Sequence, residues 1–136
     1  MPSVNKFNSF AKDVHEAMNL ATDTIKVLLT NTAPVATNTI IGDITEIAAG
    51  NGYTAGGATV ANQTSGQTSG AYTFGHDDVV FTAAGGSIGP FRYAVWYNVT
   101  AGNKLMGWLD HGSAITLADG QSYTIDVNPA LGVFAG

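Results

Sequence analysis

The sequence predicts an all-β domain, an antiparallel β-sandwich or jelly roll, preceded by a short helical or extended N-terminal arm. Three observations carry this prediction. Apolar and polar residues alternate with a period of two, most clearly in "FRYAVWYNVT" (91–100) and "SYTIDV" (122–127). From residue 58 onward, turn signals rich in Gly, Asn and Asp recur about every 8 to 12 residues and delimit roughly seven to nine short strands. Charge is scarce: Asp, Glu, Lys and Arg make up 11% of the 136 residues, against roughly 25% in an average soluble protein. The polar surface is therefore left to Thr, Asn, Ser, Gln and 17 glycines, a composition suited to tight turns and to contact with other protein.

Residues 1–20 are expected to form the arm and residues 21–136 a single β-sandwich domain. In "KFNSFAKDVHEAMNL", Phe7, Phe10, Val14, Ala17 and Met18 stand at near-helical spacing, which predicts a short amphipathic helix. So short a helix is marginal in water and must pack on something. "DTIKVLLTN" reads as a strand with Ile25, Val27 and Leu29 on one face and Lys26 and Thr30 on the other. "TAPVATNTIIGDITEIAAGNGYTAGG" is a long connection, punctuated by Pro34 and glycines, with one turn of helix after Asp43. "ATVANQTSGQTSG" predicts a polar strand or edge hairpin, and "AYTF" and "DVVFTA" flank a turn at Gly75-His76-Asp77. In the next strand Phe91, Tyr93, Val95, Tyr97 and Val99 line one face, and Arg92, Ala94, Trp96 and Asn98 the other.

The Ala101-Gly102-Asn103 turn leads into "KLMGWLD". "SAITL" and "SYTIDV" flank Asp119-Gly120, a hairpin signal because both positions tolerate positive φ. Tyr123, Ile125 and Val127 are expected to face inward and Thr124 and Asp126 outward. Asn128-Pro129 should end that strand, and "LGVFA" supplies a last short one.

Composition also excludes function classes. Net charge is −5, and the five basic residues are scattered singly. No basic stripe exists to displace counterions from phosphates, so nucleic acid is not an expected partner. No run of 18 apolar residues predicts a membrane span. The start, "MPSVNKFNSF", does not read as a secretion signal. Cysteine is absent, which removes disulfides and thiolate metal sites.

Several motifs invite a catalytic reading. "GNGYTAGG" (50–57) fits the G-x-G-x-x-[GA] loop that holds a dinucleotide. That loop needs a strand before it and a helix after it to aim amide dipoles at the pyrophosphate. Glycines and β-branched residues follow instead, so these glycines are expected to turn the chain, and no cofactor is expected. Gly85-Gly86-Ser87-Ile88-Gly89 fits G-x-S-x-G, but Pro90 and a strand follow where a nucleophile elbow needs a helix. With Asp110 and His111 imagined as partners, Ser87 still reads as a loop serine, and no enzyme is expected. His76-Asp77-Asp78 and Asp110-His111 could hold a metal only if the fold brought both turns together. Strand neighbours point to opposite faces, so both read as solvated loop residues and no metal is expected. Glu16 and Glu46 have no paired carboxylate at glycosidase spacing. Asn62-Gln63-Thr64 and Asn98-Val99-Thr100 match the glycosylation acceptor pattern and read as accidental. Tyr93, Trp96, Tyr97 and Trp108 could form a sugar-stacking platform, although aromatics on both faces of neighbouring strands favour core plus interface.

Taken in order and spacing, "LLTNTAPVATNT", "DITEIAAGNGYTAGG", "GGSIGPFRYAVWYN" and "GSAITLADGQSYTIDVN" resemble a family of small structural proteins of tailed bacteriophages, over roughly residues 20 to 128. The resemblance implies a non-enzymatic protein that decorates or cements the icosahedral head. It would sit as a homotrimer on the outer surface of the shell, be made in the host cytoplasm, and take the major capsid protein and further copies of itself as partners. Candidate interface residues are then Phe7, Phe10, Val14 and Met18 of the arm, with Tyr93, Trp96 and Trp108. A receptor- or glycan-binding module of a tail or head fibre is the competing expectation, using the same aromatics. Physical arithmetic is compatible with the trimer. A globular 14.0 kDa chain exposes about 6,700 Å², and standard patches of about 800 Å² to each of two neighbours would cover roughly a quarter of it. Few ions would need desolvation, and several weak capsid contacts would add through avidity.

Overall fold

The computed structural model describes residues 5–125 together with 134 and 135. Its elements are β1 (Asn5–Lys6), α1 (Phe10–Glu16), β2 (Ile25–Thr30), a 3-10 turn (Ile41–Asp43), β3 (Ala58–Thr59), β4 (Thr64–Thr68) and β5 (Ala71–Gly75). After these come β6 (Val79–Thr82), β7 (Ile88–Asn98), β8 (Lys104–Leu117), β9 (Ser122–Ile125) and β10 (Phe134–Ala135). The fold is predominantly β, and every strand pairing is antiparallel. Five strands form a sheet in the order β1-β8-β7-β2-β3, three form β10-β5-β4, and β6 and β9 make a two-stranded ribbon.

The centre of the five-stranded sheet, β2 with the adjoining parts of β7 and β8, is buried on both faces, which shapes everything else. On one face Ile25, Val27, Leu29, Ala94, Trp96 and Met106 join the main core cluster, to which β5 adds Phe74, β6 adds Val79 and Phe81, and β9 adds Ile125. On the other face Leu28, Val95, Tyr97 and Leu105 form a second cluster closed by Phe7, with Ile41, Ile44 and Trp108 against it. The near-continuous apolar run of β2 is the signature of a strand with no wet face. Thr30, expected on an outer face, is fully buried, and its hydroxyl donates to the Thr45 carbonyl.

Strict alternation misplaces Phe91. It packs with Ala94 and Trp96, not with Val95 and Tyr97. The cause is a bulge: Phe91 lies opposite Ile115 and Tyr93 opposite Asp110, so two steps along β7 face five along β8. The extra residues of β8 swing out, and Asp110 to Ala114 are exposed. A bulge of this kind re-aims the side chains that flank it.

The turn expected at Gly75-His76-Asp77 does not form, and at Asp119-Gly120 the turn forms without pairing the strands that flank it. The strands around Gly75-His76-Asp77 separate, β5 joining β4 and β6 joining β9. Around Asp119-Gly120, β8 stays on β7 while β9 crosses to β6. Turn chemistry is local, whereas pairing follows from which faces are buried. The second turn closes through Gln121 N–H to the Ala118 carbonyl at 2.9 Å, with Gly120 at φ +87°. A Cβ on Gly120 would meet open space, so substitution there is penalised only by the backbone. Gly120→Val should therefore cost about 1 kcal/mol or more, and Gly120→Asn less, because Asn tolerates the left-handed region. Thermal denaturation of both variants checks this; an unchanged melting temperature for the valine variant would refute the turn.

Tyr123 is half-buried, Ile125 buried and Thr124 exposed, as their alternation requires. The readings at Asp126, Val127 and Asn128-Pro129 lie outside the described residues. The helix expected in the N-terminal segment is present but covers only Phe10–Glu16, and it lies against β8.

Candidate interaction surface

The residues named as interface candidates are placed mostly inside the chain. Phe7 is 1% exposed and Phe10 6%, the first in the second cluster and the second in the main one. Val14 and Met18 are partly buried against the main cluster. The N-terminal arm is thus folded onto its own domain, tied by Phe7 N–H to the Met106 carbonyl (3.2 Å) and Asn8 N–H to the Ala36 carbonyl (2.8 Å). The exposed surface of 6528 Å² is close to the roughly 6,700 Å² expected of a globular chain of this mass.

The aromatic platform is likewise dispersed. Trp96 is fully buried, and its indole N–H donates to His76 Nε2 at 3.0 Å. Tyr97 is buried, its hydroxyl donating to the Gly56 carbonyl at 2.6 Å. Trp108 is half-buried with its ring 4.6 Å from that of Phe7. Tyr93 is half-buried beneath the Arg92 guanidinium, 5.3 Å from its ring centroid. Alternation assigned these side chains to faces but could not say that the connection from residue 31 to residue 57 folds back over the second face.

That connection is secured by the "GNGYTAGG" loop. Tyr53 is buried; its hydroxyl donates to Glu46 Oε2 at 2.5 Å and accepts the Leu29 N–H at 3.1 Å. Gly56 N–H donates to the same Glu46 oxygen at 2.6 Å. Burial, and secondarily the Glu46 carboxylate, pushes the Tyr53 hydroxyl far above its ordinary range. The group is a neutral clamp holding the loop to β2. Gly50, Asn51 and Gly52 all have positive φ, and a short β-strand rather than a helix follows the loop.

The other motifs separate. Ser87 is exposed and leads into β7, and its carbonyl accepts from Asn51 Nδ2 at 3.0 Å. Arg92 grips Asp110 in a fork of 2.8 and 3.1 Å. With the Gly112 N–H, it holds the Asp110 carboxyl below the usual carboxylate range. His111 is exposed, its ring edge-on to Tyr123. His76 is not a solvated turn residue: it is fully buried. Among the described residues no three His, Asp or Glu side chains are grouped to hold a metal ion. Asn98 of one glycosylation pattern is fully buried, its amide donating to Asp23 Oδ2 at 2.9 Å. Asn62 of the other is exposed and donates to Asp77 Oδ2 at 2.5 Å.

Exposed apolar side chains remain, among them Val80 of β6 at 54% exposure. The connection over the second cluster presents Val35 at 55% exposure and Ile40 at 45%. Between Glu46 and Asp77 the chain has no Asp, Glu, Lys or Arg. Within that stretch Thr64, Ser65, Gly66 and Gln67 of β4 and the Ser69-Gly70 turn are exposed. The charge-free run is readable directly from the sequence, and it marks a surface that sequence reasoning aimed at aromatics overlooked. Comparison with family models, curated proteins and solved structures found no match to this chain.

Proposed function

We propose that this chain is a non-enzymatic decoration, or cement, protein of a tailed-phage head. It would bind the major capsid protein on the outer surface of the shell and act as a homotrimer. The observation that carries the reading is the exposed, charge-free run of β4 (Thr64 to Gln67) and the Ser69-Gly70 turn, joined by the apolar tips Val35 and Ile40. Burying ions is expensive, and the cores of protein interfaces are depleted in charge. A chain of net charge −5 meets a second copy of itself most favourably where neither carries an ion. The resemblance of the four long phrases to phage structural proteins supplies the biological setting. On this reading the five-stranded sheet forms one layer of a sandwich. The β10-β5-β4 sheet and the β6–β9 ribbon form the other, with the main cluster between them.

The test is the copy number of this chain relative to the major capsid protein in purified virions, by quantitative mass spectrometry. A ratio near one per capsid subunit is the expected result. A handful of copies per particle would reject shell-wide cementing and move the chain to the tail or its fibres.

A further inference from the structure

His76 joins the two sheets through a contact that tolerates only one protonation state. The residue directly follows β5 of the three-stranded sheet, and its ring lies between Phe74 (centroids 6.0 Å) and Trp96 of β7 (6.3 Å). Its Nε2 lies 3.0 Å from the Trp96 indole nitrogen, and its Nδ1 lies 2.6 Å from the Asp77 carbonyl oxygen. An indole N–H can only donate and a backbone carbonyl can only accept. The ring must therefore accept at Nε2 and donate from Nδ1, which fixes the neutral Nδ1–H tautomer. A second proton, on Nε2, would set N–H against N–H inside a fully buried site.

The charged groups acting on the ring are Asp77 and Asp78, in the segment after it; β5 and β7 present Phe74 and Trp96. Both carboxylates favour the cation, and the Asp77 carboxylate is shared with the Asn62 amide. Burial outweighs them and holds the imidazole below its ordinary value. The unfolded chain then binds the proton more readily than the folded one. Stability is full above the unfolded value of about 6.5 and falls as pH drops from there toward the folded value.

We propose that His76 is a pH-sensitive joint, closed while its imidazole is neutral and opened by protonation, which releases the β10-β5-β4 sheet from β7 in mild acid. The joint does not depend on what the chain binds.

Nuclear magnetic resonance of the wild-type chain between pH 7.5 and 4.5 tests it, with the same chain unfolded in urea as the reference. At neutral pH the His76 ring should show the Nδ1–H tautomer and the Trp96 indole proton should be protected from exchange. His76 should titrate below its value in the unfolded chain. As it does, indole exchange should rise, and β5 amides should exchange before those of β2. His76→Gln offers an amide that never becomes charged. Whatever its absolute stability, its melting temperature should fall less than the wild type's between pH 7 and 5. Titration of His76 at its unfolded value, an indole proton indifferent to that titration, or parallel acid loss in both proteins would each overturn the proposal. If His76→Gln fails to fold, the wild-type titration alone decides.

Discussion

Gly57→Ala is expected to abolish folding or to remove most of the chain's stability. A Cβ at this position would lie 1.9 Å from the Val27 carbonyl oxygen, 2.6 Å from its carbon and 2.7 Å from Leu28 Cα. All three are backbone atoms of β2, the strand buried on both faces, so no side chain can move aside to make room. The residue also adopts φ +84°, where an L side chain is strained. Its place explains the crowding: the chain crosses β2 here immediately before Ala58 pairs with Val27 to begin β3. A domain of this size has about 5–15 kcal/mol of net stability, and displacing a central strand would consume a large part of it. Gly70→Ala is the control, since φ is +85° there but a Cβ would meet open space. It should lose about 1–2 kcal/mol. Soluble yield, circular dichroism and thermal melts compare the two. A Gly57→Ala protein melting within a few degrees of the Gly70→Ala variant would refute the close crossing.

This contrast marks what the sequence can and cannot convey. That residues 50–57 turn the chain was legible, because glycine clustering reports local backbone freedom. Which glycine is indispensable was not, because that depends on Val27, a residue far earlier in the chain that arrives through tertiary packing. The same division runs through the molecule. The strands β2, β7 and β9 were visible in their alternation, and the helix in the spacing of Phe10 and Val14. The burial of Trp96 and Tyr97 on opposite faces required knowing that both faces are covered. The divergence of β5 from β6 and of β8 from β9 required knowing which sheet each strand completes. His76 looked like a wet turn residue because its partner, Trp96, is twenty positions away in another sheet.

The N-terminal segment provides the second large effect. Phe7→Ala should destabilise the isolated chain by about 3–5 kcal/mol, the usual range for truncating a buried phenylalanine. Phe7 is 1% exposed and closes the second cluster over Leu28, Val95, Tyr97 and Leu105, with Trp108 at ring-contact distance. Removing its ring opens a cavity under the connection that carries Ile41 and Ile44 and unseats Trp108, so the loss should reach both the segment and the strap above it. For a domain of this length, each kcal/mol moves the melting temperature by about 2–8 °C, so a fall of about 6 °C or more is expected. Val14→Ala, at a partly buried position against the main cluster, should fall distinctly less. The measurement is a thermal or urea melt at concentrations where the chain is monomeric, paired with sedimentation at higher concentration. A melt unchanged by Phe7→Ala, accompanied by weakened self-association, would mean that the segment leaves its own domain in solution and inserts into a neighbour. A melt that falls independently of concentration would mean that Phe7 belongs to the core of its own chain, and that any contact with other copies is made elsewhere on the surface.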